Sequence, residues 1–277
     1  MLIYKYYLMK YLHTFKFLTT LIIIIFYSHN LYANNKIIIA STTSTYDTGL
    51  LDLLNKKFKE NFNINVQVLS LGTGQALRTA KDGNAEILLV HHKESEIKFM
   101  NQGYGLERNE VMYNDYVLVG PKTDHSKCLS VKEKLINIYK NKKIFISRGD
   151  DSGTHRKELE IWDLANFKIE KKYDWYFSVG QGMGSTLLIA NEKNAYTLSD
   201  RSTWIAFKKR ENLRIVCENF PPLFNQYGLI LVNPELNKNL NYKDAKKYVE
   251  WFKSNEVKNL INSFKSNGKQ LFYYNYD

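Results

Sequence analysis

The stretch Ser147-Arg148-Gly149-Asp150-Asp151-Ser152-Gly153-Thr154 follows the apolar run Ile144-Phe145-Ile146 and leads into the helix-like segment His155 to Trp162. A glycine-punctuated, hydroxyl-rich turn between a strand and a helix aims free backbone N–H groups outward, and an anion is what such a turn holds best. The same residue types also cap an ordinary helix, so this turn alone leaves both readings open. Two further turns have the same character. Ile37-Ile38-Ile39-Ala40 runs into Ser41-Thr42-Thr43-Ser44-Thr45 and then into Gly49-Leu50-Leu51-Asp52-Leu53-Leu54, whose leucine spacing suits a buried helix face. Gly180-Gln181-Gly182-Met183-Gly184-Ser185-Thr186 precedes the apolar Leu187 to Ala190. Together the three turns could converge on one small anion.

The sequence supports other chemistries less well. Ser152, His155 and Asp151 are the residue types of a hydrolytic triad, but close sequence neighbours rarely face each other across a site. His91 and His92 could suggest a metal ion, yet adjacent side chains on a strand point to opposite faces. No Gly-Lys-Ser/Thr follows a glycine turn, which argues against a nucleotide phosphate loop. Trp162, Trp175, Tyr176 and Trp204 are read as core or surface packing rather than a stacking platform.

The elements that must hold these turns alternate between strand and helix. Ile64-Asn65-Val66-Gln67-Val68-Leu69, Gln75 to Lys81 and Glu86-Ile87-Leu88-Leu89-Val90 give strand, helix, strand, the pattern of a parallel sheet covered by helices. Ligands of such sheets bind beyond the carboxyl ends of the strands, where Ser41 to Thr45, Leu71-Gly72-Thr73-Gly74 and Ser147 to Thr154 all fall. Tyr116 to Pro121 and Tyr227 to Pro234 are apolar strands stopped by a proline turn. If both lie at crossings between two lobes, the ligand cleft lies between the lobes and closes by a hinge. Lys243 to Phe264 reads as one amphipathic helix carrying Tyr248, Val249, Trp251 and Phe252.

The 277-residue chain begins with Lys5, Lys10 and Lys16 around the apolar run Phe17 to Phe26 and reaches a small residue at Ala33, the pattern of a secretory signal peptide over residues 1–33. Removing it takes three lysines and lowers the formal charge from +11 to +8. The remaining lysines are interleaved with acids and form no basic arm, so nucleic acid is not an expected partner. Cys128 and Cys217 are the two cysteines. An export address permits a disulfide between them, but spacing does not establish one.

Taken together, Thr42-Thr43-Ser44-Thr45 with Gly49-Leu50-Leu51, Val111 to Tyr116, Ser147 to Thr154, Gly180 to Gly184 and Ala195-Tyr196-Thr197-Leu198-Ser199-Asp200-Arg201 resemble the substrate-binding proteins of tungstate ABC importers. The resemblance implies an α/β, two-lobed periplasmic-binding-protein fold with two hinge crossovers and a central oxyanion cleft. Lobe 1 would comprise 34–116 and 222–277, and lobe 2 117–221. It also implies a periplasmic monomer, not an enzyme, that carries tungstate or molybdate to a membrane permease with a separate ATPase. No organic cofactor and no bound metal cation are expected. The family's oxyanion contacts would fall on Thr42, Thr43, Ser44 and Thr45, on Gly72, Thr73 and Gly74, on Arg148, on Ser152, Gly153 and Thr154, and on Gly182, Met183 and Gly184. Backbone N–H, hydroxyl and guanidinium groups all donate, which suits a fully deprotonated dianion.

Two positions depart from the family pattern. Gly83-Asn84-Ala85-Glu86 stands where Gly-Asp-Ala-Asp is expected, read as a surface-turn change, and His91-His92-Lys93 carries an extra histidine and lysine. Phosphate receptors share the Ser-Gly-Thr turn and are the nearest alternative, with an exported hydrolase behind them. A protonated phosphate needs an acceptor, which Asp150 or Asp151 could supply. The pair could equally cap the following helix or pair with Arg148, and the favoured role is the cap.

Overall fold

The computed structural model describes residues 36–169 and 173–276; the signal peptide read at 1–33 lies outside the described residues. Strand β1 (Lys36–Thr42) is flanked on both sides by parallel partners, β2 (Asn65–Leu71) and β3 (Ile87–Val90). A strand covered on both faces reads as a continuous apolar run, which is why Ile37-Ile38-Ile39-Ala40 does not alternate with polar residues. Helix α1 (Thr43–Tyr46) is a single turn, and α2 (Leu50–Phe62) buries Leu50, Leu51, Leu54 and Phe58 on one stripe. Helices α3 (Thr73–Lys81) and α4 (Lys93–Asn101) follow β2 and β3.

The sheet is mixed rather than wholly parallel. Strand β4 (Gly105–Pro121) runs antiparallel to β9 (Phe224–Val232), which in turn pairs antiparallel with β3. The β4 to β9 ladder extends to Asp115↔Phe224. From Tyr116 onward β4 instead pairs with β7 (Thr197–Asp200) and then β8 (Leu213–Cys217). One uninterrupted strand thus carries the chain out of the first lobe and into the second, and β9 carries it back. The first half of β4, with Glu107, Arg108 and Glu110, lacks an apolar signature because that stretch is an outer strand with one partner.

Helix α5 (Val131–Lys140), strand β5 (Phe145–Ser147), helix α6 (Gly153–Leu164), strand β6 (Tyr176–Ser178), helix α7 (Met183–Glu192) and the short α8 (Arg201–Ala206) complete the second lobe. Each lobe has apolar clusters sorted by strand period. Ile37 and Ile39 pack with Leu54, Phe58, Tyr248 and Phe252, whereas Ala40 faces Ala76, Leu88 and Ile230. Tyr116 and Leu118 pack with Phe145 and Trp162, and Val117 and Val119 with Ile146 and Leu187. Trp162, Trp175, Tyr176 and Trp204 are all buried in these clusters, as packing residues.

Three details correct or complete the sequence reading. The C-terminal segment is two helices, α9 (Tyr242–Phe252) and α10 (Asn255–Ser263), because Ser254 caps the second by accepting from Val257 N at 3.3 Å. Glu86 is not a surface-turn residue: it is buried, and its carboxylate accepts from Ile38 N at 2.6 Å and Asn241 N at 3.1 Å, stitching β1 to the start of α9. Cys128 and Cys217 form a disulfide with their Cα atoms 5.4 Å apart, tying the end of β8 to the segment before α5. Among the described residues no helix is long and apolar enough to cross a membrane.

Candidate anion-binding site

The expected turns are helix starts. Thr42 precedes α1, Gly72 precedes α3, Ser152 precedes α6 and Gly182 precedes α7. The starts at Thr42, Gly72 and Gly182 have no side-chain cap, which leaves first-turn N–H groups without the partner that a serine or aspartate would supply. At the fourth, Ser152 Oγ accepts from His155 N at 3.2 Å.

Three of these starts meet. Gly72 lies so close to the Asp150 backbone that a methyl group there would stand 3.2 Å from the Asp150 carbonyl, and a methyl at Gly74 would overlap the Asp151 carboxylate. Gly74 N donates to Asp151 O at 3.2 Å, and Arg148 Nη2 donates to Thr43 Oγ1 at 3.3 Å. Arg148, Thr43 and the turns at 72–74 and 152–154 therefore share one closed seam between the lobes. Two hydroxyls in this group stand out: Thr73 Oγ1 and Thr154 Oγ1 are buried and have no hydrogen-bond partner among the described residues. A buried hydroxyl left unpaired costs about 1 to 3 kcal/mol, so such a group is rare without a ligand to meet it.

The other expected residues sit differently. Thr42 Oγ1 is 2.7 Å from Thr45 Oγ1 and 3.4 Å from Ser44 Oγ, so these three hydroxyls satisfy one another beneath the turn. The glycine turn at 182–184 is joined to the site through its neighbour, since Gln181 N donates to Arg148 O at 3.2 Å. Met183 is buried, whereas Gly182 and Gly184 are exposed and face open space. A groove of about 920 Å³ lined by Tyr113, Arg201, Glu218 and Tyr273 includes none of the expected residues.

Arg148 is 2 % exposed and its charge is met locally: Nη2 and Nε reach Asp150 Oδ2 at 2.6 and 3.2 Å. Asp150 Oδ1 accepts from Ser152 N at 3.2 Å. Asp151 adopts a left-handed conformation (φ 58°) and turns its carboxylate to Arg156 at 2.9 Å and Arg78 at 3.6 Å. The aspartates are thus partners of arginines, and Ser152 rather than either of them caps α6. Nor do Asp151, Ser152 and His155 form a relay. Ser152 Oγ takes the backbone N–H of His155, and His155 Nδ1 accepts from Asp151 N.

A match to the PBP superfamily domain spans residues 32–256. The chain is 46% identical over 248 residues to the tungstate-binding protein TupA of Peptoclostridium acidaminophilum, covering 87% of this chain and 84% of that protein. The solved tungstate-binding protein TupA of Desulfovibrio alaskensis G20 superposes with a TM-score of 0.76 at 38% identity, covering 87% of this chain and 99% of that one. The tungstate ABC transporter structure from Geobacter sulfurreducens gives 0.73 at 40% identity, over 82% and 97%. The chain belongs to the tungstate-binding protein family of the PBP superfamily. Its α/β, two-lobed fold is the family's.

For a member of this family, the residues that sequence reasoning left out are those behind the anion turns. His91 Nδ1 lies 2.8 Å from the Tyr116 hydroxyl and 3.0 Å from Asn225 Oδ1, at the place where β4 and β9 pass between the lobes. Asn225 Nδ2 donates to Asn114 Oδ1 at 2.6 Å, and Asn114 Nδ2 to Ser202 Oγ at 3.3 Å. Burial lowers the His91 pKa to about 4, against the pull of Asp200, so the ring is neutral at physiological pH. The pKa of Asp47, at the end of α1, is raised by desolvation, a shift that Arg148 opposes and Asp200 reinforces. Asp200 had one legible signal: Asp200-Arg201-Ser202-Thr203 is a helix-start pattern, and its carboxylate accepts from Thr203 N at 2.8 Å. Deeper still, Glu158 accepts from the Tyr176 hydroxyl at 2.6 Å, and burial pushes its pKa up to about 8.

Proposed function

We propose that this protein captures tungstate outside the cytoplasm and delivers it to an ABC permease driven by a separate ATPase, with molybdate as a second ligand. The observation that carries the reading is the pair of buried, unpartnered hydroxyls of Thr73 and Thr154, contributed by different lobes and set beside a buried arginine. A dianion with four oxygens accepts hydrogen bonds and donates none, and this seam offers donors: two hydroxyls, the Arg148 fork and the N-terminal turns of helices. Because Asp150 already balances Arg148, attraction for the anion rests on oriented dipoles and hydrogen bonds more than on net positive charge.

Capture follows from the two lobes, taken as 34–116 with 222–277 and as 117–221, closing about β4 and β9. Closure brings the turn at 72–74 onto the turn at 150–154 and excludes water, which strengthens every hydrogen bond in the seam. Export through the leader at 1–33 would place the chain in an oxidising compartment, and the Cys128–Cys217 disulfide fits that address. The protein acts as a monomer, carries no cofactor and performs no catalysis in this reading.

Phosphate is disfavoured by the state of the aspartates. Asp150 is taken up by Arg148 and Ser152 N, and Asp151 by two arginines, so neither carboxylate is free to accept the proton that phosphate keeps at neutral pH. Thermal unfolding of the purified protein tests the proposal. Tungstate at a hundredfold excess over its Kd adds about 2.7 kcal/mol of stability and raises Tm by several degrees, while phosphate at the same concentration leaves Tm in place. A Tm that rises with phosphate and not with tungstate would move the protein to the phosphate receptors.

A further inference from the structure

A second polar cluster bridges the lobes beside the anion seam. His92 caps α4 and is nine-tenths buried: its Nδ1 lies 2.7 Å from Ser95 Oγ, and its Nε2 lies 2.7 Å from Glu160 Oε1 on α6. Glu94, in the first turn of α4, is exposed and engages no partner among the described residues. One ligand atom from each of His92, Glu94 and Glu160 can be chosen so that all three lie within 4.8 Å of one another. These three residues line a cavity of about 590 Å³, open enough for an ion and its remaining waters.

We propose that His92, Glu94 and Glu160 form a binding site for a divalent transition-metal cation of the zinc type, which ties α4 of one lobe to α6 of the other. One imidazole nitrogen and two carboxylate oxygens at about 2.0 to 2.2 Å from a shared ion are a donor set of that class, with water completing the shell. Bound ligand atoms then stand roughly 3.4 Å apart, which small side-chain rotations reach from the present positions. The ion takes the place of the hydrogen bond between His92 Nε2 and Glu160. The imidazole proton moves to Nδ1, which gives up the Ser95 N–H it accepts at 3.3 Å as helix cap and donates instead to Ser95 Oγ, 2.7 Å away, the outer-shell support that metal-bound histidines use.

The neighbouring cations are already engaged. Lys157 Nζ holds the other oxygen of Glu160 at 2.6 Å, Lys93 Nζ sits on Glu110 at 2.9 Å, and Arg156 is held by Asp151 and Ser95 Oγ, so both oxygens of Glu94 are open to the ion and Glu160 Oε1 is engaged by His92 Nε2 alone. His91 is no part of the site, since its ring is turned to Tyr116 and Asn225. The site stands independently of which oxyanion the seam holds.

Titration calorimetry of the full, anion-free protein with zinc chloride, in a buffer that does not chelate zinc, tests the proposal. One-to-one binding is expected, weakened at least tenfold by Glu94→Gln. That variant alters an exposed, unpartnered side chain and so leaves the fold intact. His92→Ala, checked for folding by circular dichroism, should abolish the same isotherm. Absence of one-to-one binding at 100 micromolar zinc, or an isotherm that Glu94→Gln leaves unchanged, would overturn it.

Discussion

Gly153 exists to admit the ring of His91: a methyl group at 153 would come within 2.7 Å of His91 Cε1 and 2.8 Å of Nδ1. The ring cannot retreat, because Tyr116 and Asn225 hold its Nδ1 and Tyr227 packs against its face at 4.8 Å between centroids. The lobe-crossing network therefore reaches the first turn of α6, one residue from Thr154. Gly153→Ala should push that turn off its partner at Gly72, at a strain of about 1 to 3 kcal/mol, and weaken anion binding by tenfold or more. His91→Ala in the same chain removes the obstacle and should restore part of the affinity, as calorimetry would read. Equal affinity in Gly153→Ala and the parent would show that the approach is not needed.

The unpartnered hydroxyls give a prediction of opposite signs. Thr73→Val and Thr154→Val exchange an unsatisfied hydroxyl for a methyl of similar shape, so the anion-free protein should hold its stability or gain up to about 1 kcal/mol. With anion each variant loses a hydrogen bond to a charged group, worth roughly 1.5 to 3 kcal/mol, or a tenfold to hundredfold fall in affinity. Urea unfolding without ligand and calorimetry with tungstate measure the two sides. Loss of stability with unchanged affinity would make both hydroxyls structural.

Much of this seam was legible in advance, because hydroxyl and glycine turns at strand ends are local signals. Strand β1 and the helix read from His155, which starts at Gly153, needed only periodicity and turn chemistry, whereas Arg148 as an anion contact rests on the family resemblance. The Asp150–Arg148 pair was among the readings open to the sequence, although the helix cap was favoured over it. The place of Asp151 was not legible, because only its left-handed backbone and the presence of Arg78 and Arg156 turn that carboxylate away from the helix start. Glu86 likewise looked like a surface residue until the chain 155 positions later brought Asn241 to it. His91, Asn114 and Asn225 form one network from three distant segments, a relation that spacing does not encode.

Glu158 makes stability depend on pH. In the unfolded chain its carboxyl ionises near 4.5, whereas in the folded chain burial holds the proton until about 8. Between these values the unfolded state binds fewer protons, so this residue's contribution falls as pH rises from 4.5 to 8, by on the order of 5 kcal/mol, and is level above. His91 acts in the opposite sense. Its lowered pKa means that stability is lost as pH falls below 6.5 toward 4. Glu158→Gln should remove the alkaline slope and be more stable than the parent at pH 8, by urea unfolding across pH 5 to 9. An unchanged slope would place the proton elsewhere.

The most direct measurement of the central claim is titration calorimetry of the protein with tungstate, molybdate, sulfate and phosphate at one pH and ionic strength, repeated with Arg148→Ala. Tight one-to-one binding of tungstate, weak sulfate and phosphate, and a loss of about 2 to 5 kcal/mol without the guanidinium are predicted. Binding of phosphate alone, or tungstate affinity that Arg148→Ala leaves intact, would contradict the account.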